Sequence, residues 1–441
     1  MEWQLTLVII LGCAIALMFS GMPVAFAFLF VSIIGMFVYF GGETGLRMLI
    51  TSIRDSVADY ILMPVVLFVL MGEVMFHSGI AINSINTLNM WLGRLPGRLS
   101  LIAVASGVVL SVLTGVSLAS TAILGKFLVP EMEKQGYKKP MTLGPILGSG
   151  GLAIMIPPSA LAVLVAAVAE VSIGRVLMGI IVPGLLMASL YAAYIIIRCR
   201  LQPHLAPAYR VPPVPLAEKL VASVKYILPL GIVVFLVTGV ILLGIATPSE
   251  AAATGAIGMY ALVIAYRKMN WQMVKKSLAT SIEISCMLLL IIAMADAWSQ
   301  VLAISGAARS AIQFTLGLPL APILMLVAMQ LVVAFMGMFM VPVPIMLITI
   351  PFFMPVVHAL GFNPVWFLII YMLNIEMATI SPPFGLGLFV MKGVAPPDTT
   401  MGDVYRASVP YCLLNVTAMA LIIVFPPIAL WLTEVMLRTS T

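Results

Sequence analysis

The residues able to do chemistry in this sequence gather around two proline pairs. Gly148-Ser149-Gly150-Gly151 leads to Ile156-Pro157-Pro158-Ser159, and Asn374-Ile375-Glu376 leads to Ser381-Pro382-Pro383-Phe384-Gly385. Each pair interrupts a long apolar stretch. Proline removes a backbone donor and clashes with the preceding turn, so a helix breaks there and leaves carbonyls free. Carbonyls at a half-helix C-terminus attract a cation, and amides at a half-helix N-terminus attract a carboxylate. Sodium favours such oxygens with hydroxyls added, and Thr114, Ser117, Ser120 and Thr121 supply hydroxyls, while 337–344 supplies a second set of carbonyls. The expected cation sites are Ser117, Ser120, Gly150 and Ser159 for the first, and Gly337, Val341, Asn374 and Thr379 for the second. An anionic solute is expected against Ser117, Pro157, Pro158, Ser159, Ser381, Pro382, Pro383 and Gly385. One such break reads as a kink stabilised by neighbouring helices; two at matching positions favour a site.

Carboxylates inside apolar segments are the other candidates, because an ionisable group in a membrane is costly. Glu376 lies six residues before Pro382, and three roles fit it: ligating a cation, carrying a proton, or bracing the broken backbone by accepting amide bonds. The bracing role is the expected one, with Glu376 shaping the second cation site without touching the ion. Asp296 either faces the same cavity or lies near the outer interface, and Glu73 and Glu283 stand close enough to helix ends to reach water. Enzyme chemistry finds no support. The sequence has no HExxH, GxSxG or phosphate-binding glycine loop, so an ATP-driven pump is excluded for this chain. Three histidines and four scattered cysteines make no zinc spacing, and no cofactor is expected beyond coupling ions.

The elements that must position these residues are membrane helices. Of 441 residues, 63% are hydrophobic and only 9% charged, against roughly a quarter charged in soluble domains. Mean hydropathy is +1.19. The net charge of +6 forms no phosphate-binding patch, so nucleic acid is not a partner and the lipid bilayer is. In lipid every backbone polar group is paired internally, which makes the apolar runs helices. Two runs, 99–125 and 310–357, have turn residues near their middles and read either as hairpins re-entering the same side or as two spans with a tight turn. An internal repeat favours hairpins. Shifted by 225 residues, Phe127, Pro130, Gly136, Pro157 and Pro158 meet Phe352, Pro355, Gly361, Pro382 and Pro383.

The expected architecture is all-α, with two inverted repeats of about five spans plus one re-entrant hairpin each, working as an elevator-type transporter. The first repeat is placed at 1–200, with its hairpin at 99–130 and broken span at 141–167. A cytoplasmic linker follows at 201–225. The second repeat occupies 226–441, with its hairpin at 318–357 and broken span at 364–391. The final full span is expected at 408–432. Segments 83–95 and 269–276 read as interfacial helices or as plain connectors. This arrangement puts 16 of the 22 Lys and Arg on one side and five on the other, with Lys126 inside the first hairpin. That positive-inside bias places both termini outside, in the periplasm of a bacterium whose inner membrane the chain spans.

The whole chain resembles the large membrane subunit of TRAP (tripartite ATP-independent periplasmic) transporters. The residues carrying the likeness are Gly21-Met22-Pro23-Val24-Ala25-Phe26, Gly115-Val116-Ser117 with Ser120-Thr121, Gly136-Tyr137, Ile156-Pro157-Pro158-Ser159 and Ser381-Pro382-Pro383-Phe384-Gly385-Leu386. The resemblance implies a sodium-driven importer of carboxylates or sulfonates with an elevator mechanism. It also implies a small four-helix membrane subunit, expected here as a separate chain, and a periplasmic substrate-binding protein. Leu118-Ala119 interrupts the Gly-Ser-rich hairpin tip common among relatives. Two other readings stay open: a stand-alone ion-coupled transporter of organic anions, and a membrane scaffold with no path of its own.

Overall fold

The computed structural model describes residues 3–91, 95–114, 117–207 and 214–439, and all regular structure among them is helical. Arg94, Gly115, Val116, Arg210 and the side chains of Thr114 and Ala119 lie outside the described residues.

The chain opens with two apolar helices, α1 (Trp3–Phe19) and α2 (Val24–Tyr39). Gly21 between them takes a φ of 89°, a left-handed turn that side chains resist. α3 (Glu43–Val57) lies in what the sequence reading takes as a loop. Its helix follows from local chemistry: Glu43 in the first turn and Arg54 in the last complement the helix dipole, and Gly45, Leu49 and Ser52 make a buried stripe. α4 (Met63–Ser78) ends at Gly79 in the left-handed region, and α5 (Ile80–Trp91) turns away. The bend between α4 and the part of α5 from Asn83 onward is 77°. α5 matches the amphipathic segment expected at 83–95. It is tied to the later segment around 223–226 by Ser84 Oγ donating to the Tyr226 carbonyl at 3.0 Å and Trp91 Nε1 donating to Ser223 Oγ at 2.8 Å.

α6 (Arg98–Thr114) and α7 (Ser117–Lys134) are the arms of the first hairpin. α8 (Lys139–Gly150), α9 (Leu152–Met155) and α10 (Ala160–Val168) make the first broken element, bent by 52° at 156–159. α11 (Ile173–Gly179) and α12 (Ile181–Leu201) continue as one span. α13 (Leu216–Ala222), α14 (Leu228–Val234) and α15 (Val240–Leu242) run through two π-helical turns as a second, so helix begins inside the segment expected as a linker. α16 (Pro248–Ala265) starts on a capping box between Thr247 and Glu250. α17 (Trp271–Ile304) is a single 34-residue helix, which absorbs the segment expected as a separate interfacial helix at 269–276.

α18 (Ala307–Leu316) leads to the second hairpin, α19 (Pro322–Gly337) and α20 (Pro342–Ala359). The second broken element is α21 (Pro364–Thr379) and α22 (Leu386–Val394). α23 (Met401–Val424) and α24 (Pro427–Thr439) close the chain. The expected last span at 408–432 is therefore split. Pro426 cannot donate to the helix ladder, so α23 stops at Val424 and a new helix starts at Pro427.

Among the described residues, five helices are long and apolar enough to cross a membrane, or up to seven if each of two bent pairs is one span. The protein is an all-helical, multi-span membrane protein. Adding 225 to α2, α6, α7 and α10 reproduces the bounds of α16, α19, α20 and α22 to within two residues. Buried side chains form one large apolar cluster around both broken elements, and a smaller one where α1 and α2 meet α17, with Phe28 and Trp298 stacked at 5.1 Å.

Candidate functional site

Both breaks are built alike. In the first, α9 stops at Met155, Pro157–Pro158 is a cis peptide, and Ser159 caps α10 by accepting from the Ala162 amide at 3.3 Å. In the second, α21 stops at Thr379 and Pro382–Pro383 is again cis. Gly385 then returns the chain so close to the end of α21 that a Cβ there would stand 2.6 Å from the Thr379 carbonyl and 2.8 Å from that of Ser381. Two break carbonyls already have partners on α23: Tyr405 Oη donates to Pro383 at 2.8 Å, and Cys412 Sγ to Ile380 at 3.5 Å. Ser381 Oγ donates back to the Met377 carbonyl at 2.8 Å.

The first hairpin brings its hydroxyls to the first break. Ser117, Ser120 and Thr121, in the opening turns of α7, are all buried. A Cβ on Gly150 would lie 2.0 Å from Thr121 Oγ1 and 3.2 Å from the Ser117 carbonyl. Only glycine lets the hairpin approach α8 this closely. Ser117, Thr121 and Gly150 are thus brought together, while the Ser159 hydroxyl serves as a helix cap.

The second hairpin docks on α21. A Cβ on Gly337 would stand 2.3 Å from Ala378 Cβ. One helical face earlier, Asn374 Nδ2 donates to the Gln330 carbonyl at 2.5 Å and to its Oε1 at 2.9 Å. Gln330, on α19, was not among the expected site residues. Its signal was available, since it is the one amide side chain in the stretch 318–357 expected as the second hairpin. Val341 sits in extended conformation before α20, and Thr379 ends α21 with its hydroxyl on the Glu376 carbonyl at 2.8 Å.

Glu376 differs from expectation in place and in bonding. Its side chain is 1% exposed. It faces the first break rather than the second hairpin: a Cβ on Gly151 would lie 2.7 Å from its Cγ and 3.1 Å from its Oε1. Its hydrogen-bond partners are the hydroxyls of Ser117 and Thr379, the latter 3.4 Å from Oε1. No backbone amide reaches the carboxylate among the described residues, and Oε2 has no partner there. The expected amide bracing is therefore replaced by hydroxyls. The reason is geometric: the chain leaves α21 beyond Thr379, a full turn past Glu376, so the amides near Glu376 stay in the helix ladder.

Asp296 is not brought to either break. It lies on α17, half-buried, in a cavity of about 780 Å³ shared with Ser52, Asp55, Asp59 and Glu170, and the Ser56 hydroxyl bonds its carboxylate. On the opposite flank of the first hairpin, Lys139 joins three elements. Its Nζ stands 2.7 Å from Glu133 and 3.0 Å from Asp398, and donates to Thr399 Oγ1 at 2.7 Å.

The chain has counterparts among known proteins. The family model for the tripartite ATP-independent periplasmic transporter, DctM component, matches residues 11–428. The C4-dicarboxylate TRAP transporter large permease DctM of Pseudomonas aeruginosa is 31% identical over 87% of this chain and 88% of its own length. The isethionate TRAP transporter permease DctMQ of Oleidesulfovibrio alaskensis is 28% identical over 77% of this chain, which spans 53% of that protein. Among solved structures, the YdaH transporter of Alcanivorax borkumensis shares the fold, with a TM-score of 0.66 over 89% of this chain and 90% of that one at 16% identity. The chain belongs to the DctM family as the large permease of a TRAP transporter, and so moves solutes rather than transforming them.

Proposed function

We propose that this permease imports small organic acids, carboxylates or sulfonates, across the bacterial inner membrane in symport with sodium. The observation that carries the reading is the meeting of α7, the α8–α9 junction and the second hairpin on the last turns of α21, where the Ser117 hydroxyl bonds Glu376. Gly151 packs on Glu376, and Gly337 packs on Ala378, two residues further along the same helix. The ligating atoms on offer there are hydroxyl, amide, carbonyl and carboxylate oxygens, the donor set of a hard cation. Sodium is written here as cargo, held in a first site at Ser117, Ser120, Gly150 and Ser159 and a second at Gly337, Val341, Asn374 and Thr379. Its charge offsets that of an anionic solute, which would otherwise be expensive to carry through a low-dielectric core.

The solute's acidic group is received where α10 and α22 begin after their proline pairs, at Ser117, Pro157–Ser159 and 381–385. Unpaired amides and the positive ends of half-helices favour an anion there. The helix bounds that recur after 225 residues support two repeats of opposite orientation. On that reading the hairpins and broken helices move together as an elevator against the remaining helices, and both termini face the periplasm. The printed names of relatives support the rest of the assembly. One relative is named for C4-dicarboxylates and one for isethionate. The latter's combined DctMQ name supports a small membrane subunit as a partner, and the tripartite family supports a periplasmic binding protein.

The test is uptake by proteoliposomes holding the permease and its small subunit, over a panel of organic acids, with and without the binding protein and an inward sodium gradient. Uptake needing both is expected. Uptake indifferent to the binding protein would mean a stand-alone transporter, and none under any condition would mean a scaffold.

A further inference from the structure

The protein spends a buried carboxylate at a place where nothing among the described residues neutralises it. Glu376 is 1% exposed, its Oε2 has no partner among the described residues, and the described ion pairs all lie elsewhere. The groups that do address it are two hydroxyls, from Ser117 of the first hairpin and Thr379 of its own helix. A neighbouring phenol, Tyr191, donates to Asn415 Oδ1 at 2.5 Å instead. An isolated buried carboxylate costs several kcal/mol on the order of magnitude typical of proteins, so a fold that keeps one has a use for its charge. Two glycines show how the space around it is kept: side chains at Gly150 or Gly151 would strike Thr121 or Glu376 itself.

We propose that Glu376 is a direct ligand of the first sodium, donated across the repeat boundary by the second half of the chain. The ion would then be held by a shell drawn from three elements: hydroxyls of α7, carbonyls where α8 gives way to α9, and the carboxylate of α21. Oε2, buried and without a partner among the described residues, is the oxygen left to take the ion. Sodium binding then does more than fill the first hairpin. It fastens that hairpin to the helix on which the second hairpin is seated. This rests on the sodium-coupled reading above and adds to it the ligand that carries charge.

The experiment is a thermal-unfolding titration of the purified full-length permease with sodium chloride, at ionic strength held constant with choline chloride, beside sodium-driven uptake. For Glu376→Gln, which keeps the shape and one acceptor oxygen, half-saturating sodium should rise at least about tenfold or the sodium-specific stabilisation should vanish, while the melting point in choline stays near that of the parent. A parental sodium titration in a folded Glu376→Gln protein would overturn the assignment and leave the sodium-coupled reading standing. If the parent itself gains no stability from sodium and takes up solute without it, that reading falls and this one with it. Should Glu376→Gln not fold, Glu376→Asp takes its place. It keeps the charge but withdraws it by one methylene, and must weaken sodium at least about threefold. Ser117→Ala and Glu376→Gln should be non-additive in half-saturating sodium, because they strip one shell. Strict additivity would count against a shared site. Should neither Glu376 variant fold, Ser117→Ala and Thr379→Ala must both weaken the same sodium titration; an unchanged titration in either overturns the proposal.

Discussion

Replacing Gly337 by alanine tests how the second hairpin is seated. The added methyl would lie 2.3 Å from Ala378 Cβ, where ordinary carbon–carbon contact needs about 3.5 to 4.0 Å. The deficit of about 1.2 to 1.7 Å cannot be absorbed by a side-chain rotation, because both atoms are fixed to their backbones. α19 or α21 must move instead. Overpacking of this kind costs about 1–3 kcal/mol. It also lifts the hairpin tip from the helix end that both proposed sodium sites share, so uptake should fall with stability. Ala378→Gly alone should cost up to about 1 kcal/mol through helix propensity. The pair Gly337→Ala, Ala378→Gly removes the clash: the remaining neighbours, Ala378 Cα at 3.6 Å and Ile345 Cδ1 at 3.7 Å, are at ordinary contact distance. The double variant should therefore be more stable than the sum of the singles by at least about 1 kcal/mol, and should recover uptake. Thermal unfolding in detergent and proteoliposome uptake read both quantities. A Gly337→Ala protein with parental melting and uptake, or a double variant no better than the summed singles, would refute this seating of the hairpin.

Ser117→Ala removes one neutral oxygen from the proposed first sodium site, and the sodium needed for half-maximal uptake should rise roughly fivefold, matching the loss of about 1 kcal/mol. Parental uptake should depend on sodium with a Hill coefficient above one if the two proposed sites are coupled, and a hyperbolic curve under saturating solute would speak against coupling. Gln330→Ala leaves the Asn374 amide with one acceptor where it had two, and should destabilise the protein by about 1 kcal/mol in the same unfolding assay. Asp398 is held below the usual carboxylate range by its hydrogen bond to Lys139. Its contribution is present above the ordinary carboxylate value near 4 and is lost as pH falls through the lower native one. Asp398→Asn should accordingly flatten the acid limb of the stability profile, lowering stability near neutrality and leaving it unchanged below the native carboxylate value.

The sequence made the breaks and hairpins legible because proline and glycine act locally, whatever surrounds them. Pro157–Pro158 and Pro382–Pro383 end helices at the places their chemistry requires, and the 225-residue repeat carries Ser117 of the first hairpin tip onto Pro342 of the second. α3 escaped notice because Glu43, Arg47, Arg54 and Asp55 give it the look of a loop, and its buried stripe is only three residues long. The joined α17 escaped for a related reason: Lys275 and Lys276 read as a helix end, whereas they merely sit in the exposed opening turns of a longer helix. Glu376 exposes a different limit. Its position along the chain allots it to the second repeat, and no pattern of spacing reveals that α21 turns that side chain toward Gly151 of the first. Such contacts between distant segments are decided by packing, and the glycines that permit them carry no direction in the sequence.

The same limit explains what the last turns of α21 are for. Asn374, Glu376 and Ala378 occupy alternate positions over little more than one turn, yet they meet partners in both halves of the chain: Gln330 and Gly337 of α19, and Gly151 at the junction of α8 with α9. A helix end so engaged cannot change its contacts with one hairpin without altering its hold on the other. Any ion that binds more tightly when the first hairpin is closed on Glu376 must therefore favour the arrangement in which Gly337 is closed on Ala378, and by linkage the second ion must favour the first to the same degree. On the proposed assignment, coupling between the two sodium sites needs no long relay through the membrane. It is the rigidity of five residues of helix.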